Sequence, residues 1–475
     1  MSALVFEGFL STPEMLAVFD ATAVVQAMLD VEAALVRAQA AVGLVPAAAA
    51  QAIAGVCKAE LLDVPAVVAA SGRAGSLAIP LVKRLTETVA LFDPVAAGYV
   101  HWASTSQDVI DTAMALQTRR ALALIDRDLG RLVQALLNRA REFEAVPLLA
   151  RTLLQPAQVI SFGFKAIAWI APLLRSQQQL RNTASRALQL QLGGAVGTRA
   201  MLGPQADAIA AHMADALQLA LPAGAWHTQR DEAMRLNAEV GILCGSLGKL
   251  ARDISLMAQA ELGELAEPGG VGRGGSSAMP HKRNPVASMV ALSAALRAPQ
   301  RVAALLAARV QEHERGLGNW QAELAESSGL YFSAHGAVAA LAEAAEGLQV
   351  DPVRMQRNID ALQGLVFAEA ASMALAEHIG KARAHALLEA LSAQVAGSGR
   401  PLGELLEAHL LKDTALREAL GAGFAPAQLA QRIGELFSAE RAAQPAIHAA
   451  APQLQALQAQ AHRQAASAPW TAWLA

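Results

Sequence analysis

Six apolar residues constrain this chain more than any other feature. Val240, Leu243, Leu247, Leu250, Ile254 and Met257 recur in alternating steps of three and four, which places them on one stripe of an α-helix. A seam of this kind predicts a long helix packed against its neighbours at a shallow angle. The next position in register, Glu261, carries a carboxylate: either the helix leaves the core there or the seam runs into a polar site. Composition supports helix elsewhere. Of 475 residues, 54% are hydrophobic but only 4% aromatic, and the apolar share is mostly Ala, Leu and Val. Helices are predicted over 23–46 until Gly43 and Pro46 intervene, from about Ile110 to Phe143, from Phe162 to Leu190 and from Val286 to Val310. "STPEMLAVF" and "DPVRMQRN" read as fresh helix starts. The predicted fold is all-α, built around a bundle of long helices.

Breaks in the pattern suggest four parts: an N-terminal helical domain over 1–110, a central bundle domain over 111–355, a C-terminal helical domain over 356–438 and an Ala/Gln-rich tail over 439–475. The tail's patterning is weak, the mark of a loosely attached or partly disordered segment. A formal net charge of −3 argues against a general nucleic-acid binder, which needs clustered phosphate-neutralising charge. No run of about 18 uncharged apolar residues suggests a membrane span. The N-terminus meets Glu7 and lacks a basic leader. The two cysteines, Cys57 and Cys244, are too few for a disulfide framework or a zinc site and read as small buried hydrophobes of a reducing compartment. A soluble, cytoplasmic protein is expected.

The Gly-rich stretch "GGSSAMPHKRNP" (274–285) interrupts two of the long helices. It has no preceding strand and no G-x-x-x-x-G-K-[ST] spacing, so a phosphate loop is a poor match. Proton chemistry suits it better. Glycines let a loop move and close, and a serine hydroxyl beside an ammonium can transfer a proton. Lys282 and Asn284 have the chemistry to hold a carboxylate and stabilise the aci-acid formed when a proton leaves the carbon beside it. The reaction class is β-elimination or its reverse, addition across a double bond.

"GSSAMPHKRNP" resembles the signature G-S-S-x-M-P-x-K-x-N-P of the fumarase/aspartase superfamily and matches every fixed position. The resemblance extends over the helical organisation from about residue 5 to 438. It implies three helical domains, a homotetramer joined through the central helices, and active sites assembled from segments of three different subunits. "YVHWASTSQDVIDTA" (99–113) is similar to the superfamily's first active-site segment, with Thr105 and Ser106 as carboxylate-binding candidates and His101 as an acid/base or substrate-orienting group. Ser106 also reads as a helix cap, and a helix N-terminus binds carboxylates readily. "RTLLQPAQVISFG" (151–163) resembles the second segment and supplies Thr152 and Gln155. Leu153 stands where that segment commonly has a histidine.

The leucine departs from the pattern of adenylosuccinate lyases, whose histidine serves as a general acid, and so does "AGSLAIPLVK" (74–83) where they carry R-H-D. Bacterial carboxymuconate cycloisomerases share both departures, and they are also similar in "QEHERGLGNWQAE" (311–323). A carboxylate that adds to an alkene needs no acid of the kind a leaving amine requires. The resemblance thus implies a cycloisomerase acting on a small polycarboxylate without cofactor or metal, with an adenylosuccinate lyase-like elimination of fumarate as the alternative. It assigns the carbon proton to Ser276, with Ser277 as the other candidate, and the aci-carboxylate to Lys282 and Asn284. Arg315 is either a further carboxylate ligand or a solvated charge. His281 and Arg283 either contact substrate or face solvent, Trp320 reads as core in preference to pocket wall, and Ala103 and Leu153 are candidate pocket-shaping residues.

Overall fold

The computed structural model describes residues 5–270, 272–275, 278–279 and 281–467. Ser276 and Ser277 lie outside the described residues. Six long helices among the described residues form the body. Helix α1 (Ala21–Ala41) starts where the Asp20 carboxylate accepts the Ala23 N–H at 2.7 Å, an ordinary N-cap. Helix α2 (Ser106–Glu142) spans 37 residues. Its N-cap is Thr105, not Ser106: Ser106 is already the first helical residue. A hairpin of β1 (Pro147–Thr152) and β2 (Gln155–Ser161) follows, antiparallel, with an irregularity between Ala150 and Arg151 that accommodates Pro156.

Helix α3 (Phe162–Ala187) begins at a Ser161 cap and α4 (Asp231–Met257) carries the predicted seam. All six seam residues are buried. The helix ends at Met257, so the register never reaches Glu261, which is exposed in the following turn and offers its carbonyl to Arg354 at 2.8 Å. The helix has left the core at that carboxylate. Helices α5 (Val286–Ala307) and α6 (Asn319–Glu346) complete the body: α4 packs on α3, α5 and α6, and α2 on α3 and α6. Gly248 lets α4 approach α5 closely, because a Cβ there would run into that of Ala295.

A separate core of Leu375, Leu388, Leu402, Leu406, Phe424 and Leu429 lies in the C-terminal helices. The chain then returns to the main body. Helix α7 (Ala439–Ala466) packs along α3 and against β2 and buries Ala450 and Leu454 in the main core. The Gln464 amide donates to the Leu174 carbonyl at 3.1 Å, and Arg181 donates to the Gln464 carbonyl at 2.6 Å. The weakly patterned segment is therefore a packed helix through Ala466: alanines allow close approach without leaving a strong hydrophobic stripe in the sequence. Among the described residues no single helix is long and apolar enough to cross a membrane.

Candidate active site

The N-terminus of α2 is tied down by Asp108, one turn into the helix and buried. Its carboxylate accepts the N–H groups of Gly193 (2.9 Å), Gly194 (2.8 Å) and Thr105 (3.2 Å), and pairs with His227 Nε2 at 2.7 Å. With its oxygens so occupied, Asp108 fixes the loop "LGGAVGT" (192–198) beside the helix start. Thr105 and Ser106 are left half-buried at that terminus, where free N–H groups and the helix dipole favour an anion.

One turn further along, Asp111 accepts a bidentate pair from Arg230 (2.8 and 3.1 Å) and the indole N–H of Trp320 at 2.9 Å. Arg230 also grips Glu323 at 2.6 and 2.7 Å and stacks over Trp226. Burial disfavours its charge, but the two carboxylates outweigh this and raise its pKa above the ordinary arginine value. Trp320 is a core residue, as the sequence suggested, with its polar edge satisfied.

Arg315 is not a solvated helix charge. It sits in the 311–318 loop and donates to the carbonyls of Gly194 (2.7 Å) and Ala195 (3.1 Å) and to Gln107 Oε1 (3.1 Å). Burial lowers its pKa, with Asp108 and Asp111 acting in the opposite sense. The structure thus brings Arg315 together with the Thr105–Ser106 terminus through Gln107 and the Gly193–Ala195 loop.

His101 lies in the turn just before α2, with a left-handed backbone (φ 59°). Its Nδ1 meets the buried Glu32 carboxylate of α1 at 2.6 Å. Burial opposes charge on the ring, but the hydrogen bond and charge of Glu32, with Asp108 beyond, raise its pKa above the usual histidine value. Sequence reading missed Glu32. The signal was present: Glu32 and Gln39 stand seven residues apart, on the same face of the helix as its apolar residues. It also missed the 192–198 loop, which three glycines mark.

The remaining candidates stand apart. Thr152 and Gln155 pair at the exposed end of the β1–β2 hairpin. The two-residue turn between them is Leu153 and Leu154, 97% and 75% exposed, with φ of 51° and 66°. Beneath the tip, Arg151 grips the fully buried Glu264 with two bonds, of 2.9 and 2.6 Å.

The Gly-Ser loop has a built base. Glu267 accepts the N–H groups of Ala287 (2.9 Å) and Ser288 (2.8 Å), capping α5, and also the Ser288 hydroxyl at 2.7 Å. Gly274 and Asn284 close the neck through a 2.8 Å backbone bond. At Gly274 φ is +65° and a Cβ would lie 2.6 Å from the Asn284 carbonyl oxygen. Lys282, His281 and Arg283 are exposed, and Asn284 is half-buried. No hydrogen bond among the described residues joins Thr105 or Ser106, Thr152 or Gln155, and Lys282 or Asn284 to one another.

The lyase family profile matches residues 9–299. The chain is 48% identical over 399 residues to the 3-carboxy-cis,cis-muconate cycloisomerase of Bradyrhizobium diazoefficiens, covering 84% of this chain and 88% of that protein. It is 48% identical over 384 residues to the protein of the same name from Pseudomonas aeruginosa, covering 81% and 84%. The crystal structure of 3-carboxy-cis,cis-muconate lactonizing enzyme from Pseudomonas putida superposes with a TM-score of 0.88 at 39% identity, covering 96% of this chain and 99% of that one.

Proposed function

The chain belongs to the lyase family of the fumarase/aspartase superfamily, and from that premise we propose that it converts 3-carboxy-cis,cis-muconate to 4-carboxymuconolactone. The reaction is an isomerisation. One carboxylate oxygen of the substrate forms a C–O bond to the conjugated alkene. The alkene electron pair moves toward a second carboxylate as an aci-acid, and the carbon beside that carboxylate takes a proton. Ser276 delivers the proton. Lys282 and Asn284 carry the developing charge. Thr105, Ser106, Thr152 and Gln155 hold the other carboxylates, with Arg315 docked beside the α2 terminus and His101 as the titratable group there. Orientation supplies much of the rate, because the nucleophile and alkene belong to one molecule.

The observation that carries this reading is Leu153. The hairpin tip that holds Thr152 and Gln155 presents a leucine, so the site it enters gains no proton donor at that position. An amine-expelling elimination needs such a donor and a ring-closing carboxylate does not. The exposure of that tip, and its separation from the other candidates, support a homotetramer whose active sites are shared between subunits. A cytoplasmic location accords with two free, buried thiols.

The test follows 3-carboxy-cis,cis-muconate by ultraviolet absorbance as the diene closes, using the wild type, Ser276→Ala, Ser277→Ala and Lys282→Ala. Loss of absorbance with the wild type, a drop of about 100-fold or more in Ser276→Ala and Lys282→Ala, and near-normal turnover in Ser277→Ala are expected. No turnover by the wild type, with fumarate released from adenylosuccinate instead, would replace the cycloisomerase by the elimination.

A further inference from the structure

Helix α1 buries two polar side chains on one face, Glu32 and Gln39. Both are spent on the same short turn. Glu32 meets His101 Nδ1 at 2.6 Å, and the Gln39 amide donates to the Trp102 carbonyl at 2.8 Å. The turn itself is held in an unusual shape, with His101 and Ala103 both in the left-handed region (φ 59° and 60°), a conformation that persists only where its surroundings impose it. Among the described residues, Glu32 makes no hydrogen bond other than the one to His101. A carboxylate buried this deeply is costly unless paired, and packing alone would be served by an apolar residue.

We propose that Glu32 is a positioning residue: it keeps a proton on His101 Nδ1, fixes the ring plane and leaves Nε2 as the edge that faces substrate. This rests on the reading of His101 as a site residue. Nε2 has no hydrogen-bond partner among the described residues, and the side chain keeps 18% of its exposure. The charges around the ring fit the assignment. Glu32 acts from α1 and Asp108 from α2, and both favour the imidazolium. Cys57, close behind Glu32, stays a neutral thiol, because burial and the Glu32 charge push it up to about 12, so it adds no second negative charge beside the carboxylate. A cationic ring so held is matched to a substrate carrying three carboxylates.

The experiment compares kcat, KM and the pH profile of kcat/KM with 3-carboxy-cis,cis-muconate for the wild type, E32Q, E32A, H101N and the E32A/H101N double variant, with thermal unfolding of each. Gln keeps the volume and an acceptor but removes the charge. We expect H101N to lose about 100-fold in kcat/KM and E32Q about tenfold. The pH limb that disappears in H101N should move to lower pH in E32Q, since removing the carboxylate lowers the histidine pKa. E32A should add little to H101N in the double variant. If E32A fails to fold, E32Q carries the test. Wild-type activity and pH profile in E32Q beside an impaired H101N would overturn the proposal and leave the proposed reaction standing. A loss of activity in E32Q with an unmoved pH limb would reduce Glu32 to a structural role and also overturn it. An unimpaired H101N would remove His101 from the site, and the proposal with it, while turnover by the wild type would still stand.

Discussion

At Asp108 two oxygens serve donors that come from the helix cap, from Gly193 and Gly194, and from His227, up to 119 residues away. D108N replaces one oxygen by an NH2 group that would face donors. We expect a stability loss of roughly 3–5 kcal/mol, the cost of breaking a buried pair, read as a lower urea midpoint. KM should rise as well, because the 192–198 loop and the Thr105–Ser106 terminus lose their common anchor. Gly193 tests the same junction from the other side. A Cβ there would lie 2.5 Å from His227 Cε1 and 2.7 Å from Ala225 Cβ, so G193A should cost about 1–3 kcal/mol as overpacking, measured as a lower Tm. The "TSQD" segment was legible in the sequence as a helix start, but the division of labour within it was not. Thr105 and Ser106 stay half-buried, whereas Asp108 turns inward to partners that lie far off in sequence.

Among the elements, the helices were legible and the hairpin was not. The α4 seam is read directly because 3.6-residue periodicity survives in a long element. Strands "PLLART" and "QPAQVIS" lack clean alternation, contain prolines and meet at a turn that breaks turn chemistry. A two-residue hairpin turn favours Asn-Gly, since both residues take positive φ, yet here both are leucines. Backbone strain at an exposed tip is uneconomical for folding and suggests selection for what the tip touches. Replacing Leu153 by Asn and Leu154 by Gly should raise the stability of the single chain by about 1 kcal/mol or more. Turnover should fall nonetheless, because the apolar tip is gone. Equilibrium unfolding at low protein concentration and a steady-state assay would show the two effects moving in opposite directions. Activity equal to the wild type would mean that the tip shapes no site.

For the whole molecule, the seam predicted the body of the fold, whereas the proposed assembly would be read from the outer faces, where no periodicity separates an interface from solvent. Ile242 on α4 and Met289, Leu296 and Leu306 on α5 are exposed apolar side chains along the long helices, a distribution suited to burial between copies of the chain. If each active site of a tetramer draws its catalytic segments from three different subunits, then Q155A and K282A damage different subunits' contributions to one site. Each variant alone should turn over substrate poorly. Mixed in equal amounts, unfolded and refolded together, they should form tetramers in which roughly a quarter of the sites receive an intact hairpin and an intact Lys282 loop, given random assembly in a closed symmetric oligomer. Recovered activity near that fraction of the wild type requires that the two segments come from different chains. Recovery no greater than the sum of the separate variants would place Gln155 and Lys282 in one subunit's site, and the exposed Leu153–Leu154 tip would then need another explanation.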